Sequence, residues 1–191
     1  MKRIIMHWTG GGHRANHVDL RHYHYIIEGD GNVVNGDHPP EANRHIAQPN
    51  NGSTYAAHTA RLNTGSIGVA LAAMHQAKDR PFNRGPSPIT EAQLDALAKL
   101  CADLCAKYDI PVERHTVLTH AEVQPTLKVA QAGKWDITWV PGMVGPGDPV
   151  AVGDGLRDRI RAAMQPAAPA PDNPAQGGFL ALLRRIFGGK T

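Results

Sequence analysis

Residues 3–12, Arg3-Ile4-Ile5-Met6-His7-Trp8-Thr9-Gly10-Gly11-Gly12, decide the fold: a short apolar run rich in isoleucine breaks abruptly into threonine and three glycines. Such a run, ended by residues that free the backbone, has the pattern of a buried strand opening into a loop. His7 then stands at the strand's end. Working outward, residues 22–28 read as a second strand, and Gly29-Asp30-Gly31 turns it into Asn32-Val33-Val34 by a hairpin signal of the Asp-Gly type. Residues 39–54 are polar and rich in turn formers, which predicts a surface excursion. The apolar run 66–73 predicts another strand, central in a sheet.

After the proline- and glycine-rich stretch 80–88, the pattern changes to a period of about 3.6. Thr90 reads as the N-cap of a helix with Glu91 and Gln93 in its first turn, and Leu94, Leu97, Leu100, Cys101 and Leu104 line one face. Residues 112–118 return as a strand, a loop is expected to start at His120, and a last helix spans 154–164. Cys101 and Cys105, the only two cysteines, lie one helical turn apart with side chains in the wrong relative direction for a disulfide. They read as reduced core thiols.

At 191 residues and 41% hydrophobic content, the chain suits one core and a short appendage. The expected domain covers 1–165. Residues 166–178 turn to alanine, proline, asparagine and glycine, a linker composition that builds no core. In 179–191, Phe179, Leu182, Leu183 and Ile186 repeat at i, i+3, i+4 and i+7, with Leu180 and Phe187 flanking and Arg184 and Arg185 opposite. This amphipathic tail has three readings: it lies on an anionic membrane surface, docks on the domain, or stays unordered. A net charge of +3 favours an anionic partner without choosing one. No basic stripe with interleaved aromatics occurs, so nucleic acid is not the expected partner. The start lacks an apolar run long enough for a signal peptide or membrane span, so synthesis in the cytoplasm is expected.

Eleven histidines carry the chemical information. A hydrolytic metal needs three protein ligands and one open position for a water. His7 and His120 follow strands that would bring them to one sheet edge if neighbours, and Asp136 lies on the next loop. A histidine after a strand is more often structural than a ligand, so on residues alone both readings stand.

Several strings occur together in order: Ile4-Ile5-Met6-His7-Trp8-Thr9; Tyr23-His24-Tyr25-Ile26-Ile27 before Gly29-Asp30-Gly31; Ala57-His58-Thr59 with Asn63-Thr64-Gly65-Ser66-Ile67-Gly68-Val69; His120-Ala121-Glu122-Val123; and Gly133-Lys134-Trp135-Asp136. Over about residues 3–140 the chain resembles the type-2 N-acetylmuramoyl-L-alanine amidases, a family of phage lysozymes, wall-recycling amidases and peptidoglycan recognition proteins. The resemblance implies an α/β domain with a central mixed β-sheet flanked by helices, peptidoglycan as partner, and a zinc ion held by His7, His120 and Asp136. It further implies that Tyr23 orients the attacking water or relays its proton. Lys134 would stabilise the oxyanion, a role that commonly contributes much of the rate. His58 would contact substrate, with Asn63 beside it in the substrate groove or only shaping a turn. Tyr23 also has a plain reading as a cross-strand packing residue, and the remaining histidines read as surface or structural.

Two departures stand out. Where some members carry a general-base glutamate this chain has Ala70, which moves the proton chemistry towards Tyr23. The span from His120 to Asp136 is long, as if 126–132 were inserted, and this makes Lys128 a rival to Lys134. The expected activity is zinc-dependent cleavage between N-acetylmuramic acid and L-alanine by a phage or prophage endolysin that acts on the wall after release. The alternatives are a non-catalytic peptidoglycan-binding module and a cytoplasmic recycling amidase.

Overall fold

The computed structural model describes residues 1–47 and 53–165. The linker and amphipathic tail expected after residue 165 lie outside the described residues. Five strands form one mixed sheet in the order β3-β2-β4-β1-β5. They are β1 (Arg3–Trp8), β2 (Tyr25–Ile27), β3 (Val33–Asn35), β4 (Ser66–Leu71) and β5 (Val117–Thr119). β1 pairs in parallel with β4 and β5, β2 pairs in parallel with β4, and the β2–β3 hairpin is antiparallel. β4 is therefore central, as its apolar run predicts, and β1, which carries His7, is the neighbour of β5, which His120 directly follows.

Side-chain alternation along β1 sorts the molecule into two faces. Ile4, Met6 and Trp8 join Ile67, Val69 and Leu71 of β4 in the main core. That core is covered by α2 (Glu91–Tyr108) and α4 (Pro149–Met164), which pack on each other and supply Leu94, Leu97, Leu104, Leu156 and Ile160. Cys101 and Cys105 lie in this core as free thiols. Ile5 turns the other way and packs with Leu118 and with Val123 of α3 (His120–Leu127). His7 has the parity of Ile5, so it emerges on the α3 face, where the cleft lies.

α2 begins at Thr90 with a full capping box: Thr90 Oγ1 accepts from the Gln93 amide, and Gln93 Oε1 accepts from the Thr90 amide. Gln93 is fully buried and also donates to the carbonyls of Ile27 and Ala72. One polar side chain thereby ties the helix start to two strands. Among the described residues no helix is long and apolar enough to cross a membrane.

Four sequence expectations are corrected. Residues 22–28 are not one strand: His17–His22 forms α1, capped by Asn16 with Asp19 reciprocating, and the strand shrinks to Tyr25–Ile27. The strand expected over 112–118 starts only at Val117, because Pro111 to Thr116 closes a turn in which the Thr116 and Val117 amides donate to the Glu113 carbonyl. His120 opens a helix rather than a loop, with Thr119 as N-cap and Glu122 completing a capping box. The last helix begins at Pro149, not 154, capped by Asp148, since tertiary packing buries Gly153 and outweighs the weak helix propensity of glycine.

Candidate metal centre and cleft

Parallel pairing places His7 and Thr119 near one end of the sheet, with Met6 opposite Thr119 in register. His120 follows at once as the first residue of α3. Asp136 arrives from the far side of the long connection and is fixed through its main chain: the Ala121 amide in the first turn of α3 donates to the Asp136 carbonyl at 2.6 Å. The helix start that presents His120 therefore also holds Asp136.

The three side chains meet. His7 Nδ1 lies 3.0 Å from His120 Nδ1, and Asp136 Oδ2 lies 3.2 Å from each of them. All three are buried. Two lone-pair-bearing nitrogens and a carboxylate oxygen in one tight triangle need a proton or a cation between them. Metal–nitrogen bonds of about 2.0–2.1 Å in a tetrahedron give ligand-to-ligand edges of roughly 3.3 Å, so the donor set fits one face of a four-coordinate zinc. Burial lowers the His7 imidazole to about 4 despite its hydrogen bond to Asp136, so it is neutral and able to ligate at pH 7. Burial would raise the Asp136 carboxyl, but hydrogen bonds from His120 and His7 outweigh it and hold the group well below the ordinary carboxylate range.

A cleft of about 810 Å³ opens over this triangle. Tyr23, His58, Asn63 and Lys134 all line it, along with His120 and Asp136. Tyr23 ends α1 as its C-cap, and its ring centroid sits 5.2 Å from that of His7. Burial and the Asp136 charge push the Tyr23 phenol upward, so it keeps its proton at neutral pH. His58 lies against the floor: its Nδ1 is 3.2 Å from His7 Nε2 and 2.8 Å from Thr59 Oγ1. Its ring needs the bare backbone of Gly68 on β4, because a Cβ there would come within 2.6 Å of the imidazole. Asn63 does shape a turn, with Oδ1 accepting from the His58 and Thr59 amides, and in doing so sets where His58 points.

The two lysines separate clearly. Lys134 lines the cleft, and its charge acts on His7. Lys128 ends α3 in a left-handed conformation and donates to the Pro125 carbonyl at 2.7 Å. Ala70 stands opposite His7 across the β1–β4 pair, so its strand position brings no carboxylate to the site.

His24 proves structural: it is buried, and its Nδ1 accepts from the Gly68 amide at 2.9 Å. Sequence reasoning missed Thr59, 3.3 Å from His7 Nε2, and Gln131, whose Oε1 lies 2.9 Å from His120 Nε2. Thr59 sits inside a quoted string beside His58. Gln131 falls in the apparent insertion and carried no signal at all.

Two imidazoles and a carboxylate buried beneath an open cleft define the class: an α/β protein with a three-donor site able to hold a metal ion and room above it for a substrate. The chain belongs to the N-acetylmuramoyl-L-alanine amidase family (Amidase_2), whose family model matches residues 1–142. Similar solved structures include the N-acetylmuramoyl-L-alanine amidase LysC from Clostridium intestinale URNW, 19% identical over 65% of this chain and 73% of that one, with a TM-score of 0.41. AmiD from E. coli, in complex with the substrate anhydro-N-acetylmuramic acid-L-Ala-D-gamma-Glu-L-Lys, is 25% identical over 63% and 48%, with a TM-score of 0.43. The Drosophila peptidoglycan recognition protein PGRP-SA is 17% identical over 62% and 67%, with a TM-score of 0.39. No curated protein matches the chain.

Proposed function

We propose that this protein hydrolyses the amide between N-acetylmuramic acid and L-alanine in peptidoglycan, with zinc held by His7, His120 and Asp136. The observation that carries the reading is the closed donor triangle at the floor of the cleft in a chain of this family. A bound zinc supplies Lewis acidity and activates a water as nucleophile.

The chain's own residues do the rest. Tyr23, protonated at neutral pH, donates from its hydroxyl to orient the attacking water. Lys134, on the cleft wall, offers positive charge to the amide oxygen as it becomes anionic. His58, neutral because burial and the neighbouring imidazoles hold it far below its ordinary value, contacts the substrate without competing for the proton. Asn63 fixes the turn that presents it.

Substituting His7→Ala removes one corner of the triangle. Zinc content and release of new alanine amino termini from purified sacculi should both be lost. Unchanged release by the metal-depleted wild type would overturn the proposal, and sacculus binding without any release would assign a recognition module instead. The same reading favours an endolysin over a recycling amidase, since Ala70 leaves Tyr23 to manage the water. Faster turnover of soluble anhydromuropeptides than of intact sacculi would reverse that choice. Residues 179–187 are proposed to seat on an anionic membrane, and unchanged sedimentation with phosphatidylglycerol vesicles after deleting 174–191 would refute this.

A further inference from the structure

The buried amide of Gln131 has partners at both its nitrogen and its oxygen. Its Nε2 donates to the Ala60 carbonyl at 3.1 Å and faces the Val129 carbonyl at 3.5 Å. Carbonyls cannot donate, so the amide nitrogen must lie on that side and Oε1 must face His120. At 2.9 Å from Oε1, His120 Nε2 is then the donor and carries the hydrogen. An imidazole that ligates a metal holds only one hydrogen; with that hydrogen on Nε2 the bare nitrogen of His120 is Nδ1, the atom in the triangle with His7 and Asp136. The backbone of Gln131 is held as firmly: its amide donates to Gln124 Oε1 at 3.0 Å, one turn beyond His120 on α3.

We propose that Gln131 is the positioning residue of this centre, selecting the His120 tautomer that ligates through Nδ1 and tying it, through the Ala60 carbonyl, to the 58–61 segment of the cleft lining. The inference rests on the zinc reading above and adds to it a residue supplied by the long 128–135 connection. Ligating histidines commonly present their second nitrogen to such a partner, and losing the partner typically costs 10–100-fold in metal affinity. Ala60 and Arg61 meet the connection at adjacent points, since Arg61 Nη2 reaches the Ala130 carbonyl at 3.5 Å. Removing the Gln131 amide therefore leaves a second tie between residues 60–61 and the connection.

The test uses the full chain with zinc alone, measured by competition with a chromophoric chelator, and with imidazole 15N spectra of the metal-free protein at pH 7.5. Gln131→Leu removes both the acceptor and the donor, whereas Gln131→Glu keeps the acceptor and loses the donor to Ala60. The expected result is a roughly 10–100-fold weaker zinc affinity for Q131L, an affinity within a few-fold of wild type for Q131E, and a His120 ring protonated on Nε2 in the wild type that becomes a tautomer mixture in Q131L. Equal affinity of Q131L and wild type overturns the inference. So does equal weakening of both variants, which would make Gln131 only a loop tie. A wild type that takes up no zinc would sink the zinc reading alone, and the 15N spectra would still decide the tautomer: Nδ1 protonation in the wild type refutes the role given to Gln131.

Discussion

Replacing Gly153 by alanine reverses the usual sign of a helix substitution. Gly153 lies within α4, where exchange of glycine for alanine ordinarily stabilises by about 1 kcal/mol. Here the added Cβ would land inside the carboxylate of Glu122. That carboxylate cannot retreat freely. It accepts from Arg157 Nη2 at 2.8 Å and Nη1 at 3.1 Å, caps α3 through the Thr119 amide at 2.8 Å, and is fully buried together with the guanidinium. Displacing it leaves a buried charge short of its partner, at a cost of about 3–5 kcal/mol. Net destabilisation of about 2–4 kcal/mol follows, read from urea unfolding of the metal-free protein. Gly155→Ala is the matched control, because a Cβ there meets nothing within 4 Å and should stabilise by up to about 1 kcal/mol. If G153A proves as stable as G155A, the Glu122 carboxylate is free to move and the Glu122–Arg157 pair does not tie α4 to the start of α3.

Other outcomes follow from the site. Lys134→Ala should lower kcat by roughly 10²–10³-fold with zinc content unchanged, while Lys128→Ala leaves kcat near wild type; the reverse order would exchange their roles. Tyr23→Phe keeps the ring packing on His7, so an unchanged kcat would reduce Tyr23 to a packing residue. Burial lowers the His24 imidazole to about 4. Its folded value thus lies below its unfolded value near 6.5, and the unfolded chain takes up the proton first as pH falls. His24 should therefore remove on the order of 2 kcal/mol of stability between pH 7 and 5, beside the losses from His7 and His58, whose imidazoles burial also lowers. His24→Gln should make the slope in urea titrations shallower by that share; an unchanged slope would assign all of it to the other histidines.

The legible parts of this protein were those written in local pattern. The isoleucine run carrying His7, the Asp-Gly hairpin turn and the helix start at Thr90 all appear in the structure as read, and the structure adds that Gln93 completes a capping box there. The capping box at Thr119 was equally local, but Pro125 inside α3 disguised a helix as a loop. Glycines 153 and 155 hid the first turn of α4 for the opposite reason: Gly153 is there to admit a carboxylate from another helix, which no local rule encodes. At the site, His7, His120 and Asp136 were visible as residue types, but whether their side chains met depended on β1 and β5 pairing and on the Ala121–Asp136 bond. Gln131 was invisible because its partners are 11 and 71 positions away.

The bond between the Ala121 amide and the Asp136 carbonyl has a consequence for how much variation the chain can absorb. With both ends of the 128–135 connection anchored on α3, the distance that residues 121 and 136 must span is set by the helix rather than by the number of residues between them. Closing a longer flexible span costs only about 0.6 kcal/mol per doubling of length. Length can therefore vary in this stretch while the three donors stay in register, and what an insertion beside Ala132 and Gly133 would disturb is the bond from the Lys134 amide to the Gln131 carbonyl, which sets where Lys134 enters the cleft.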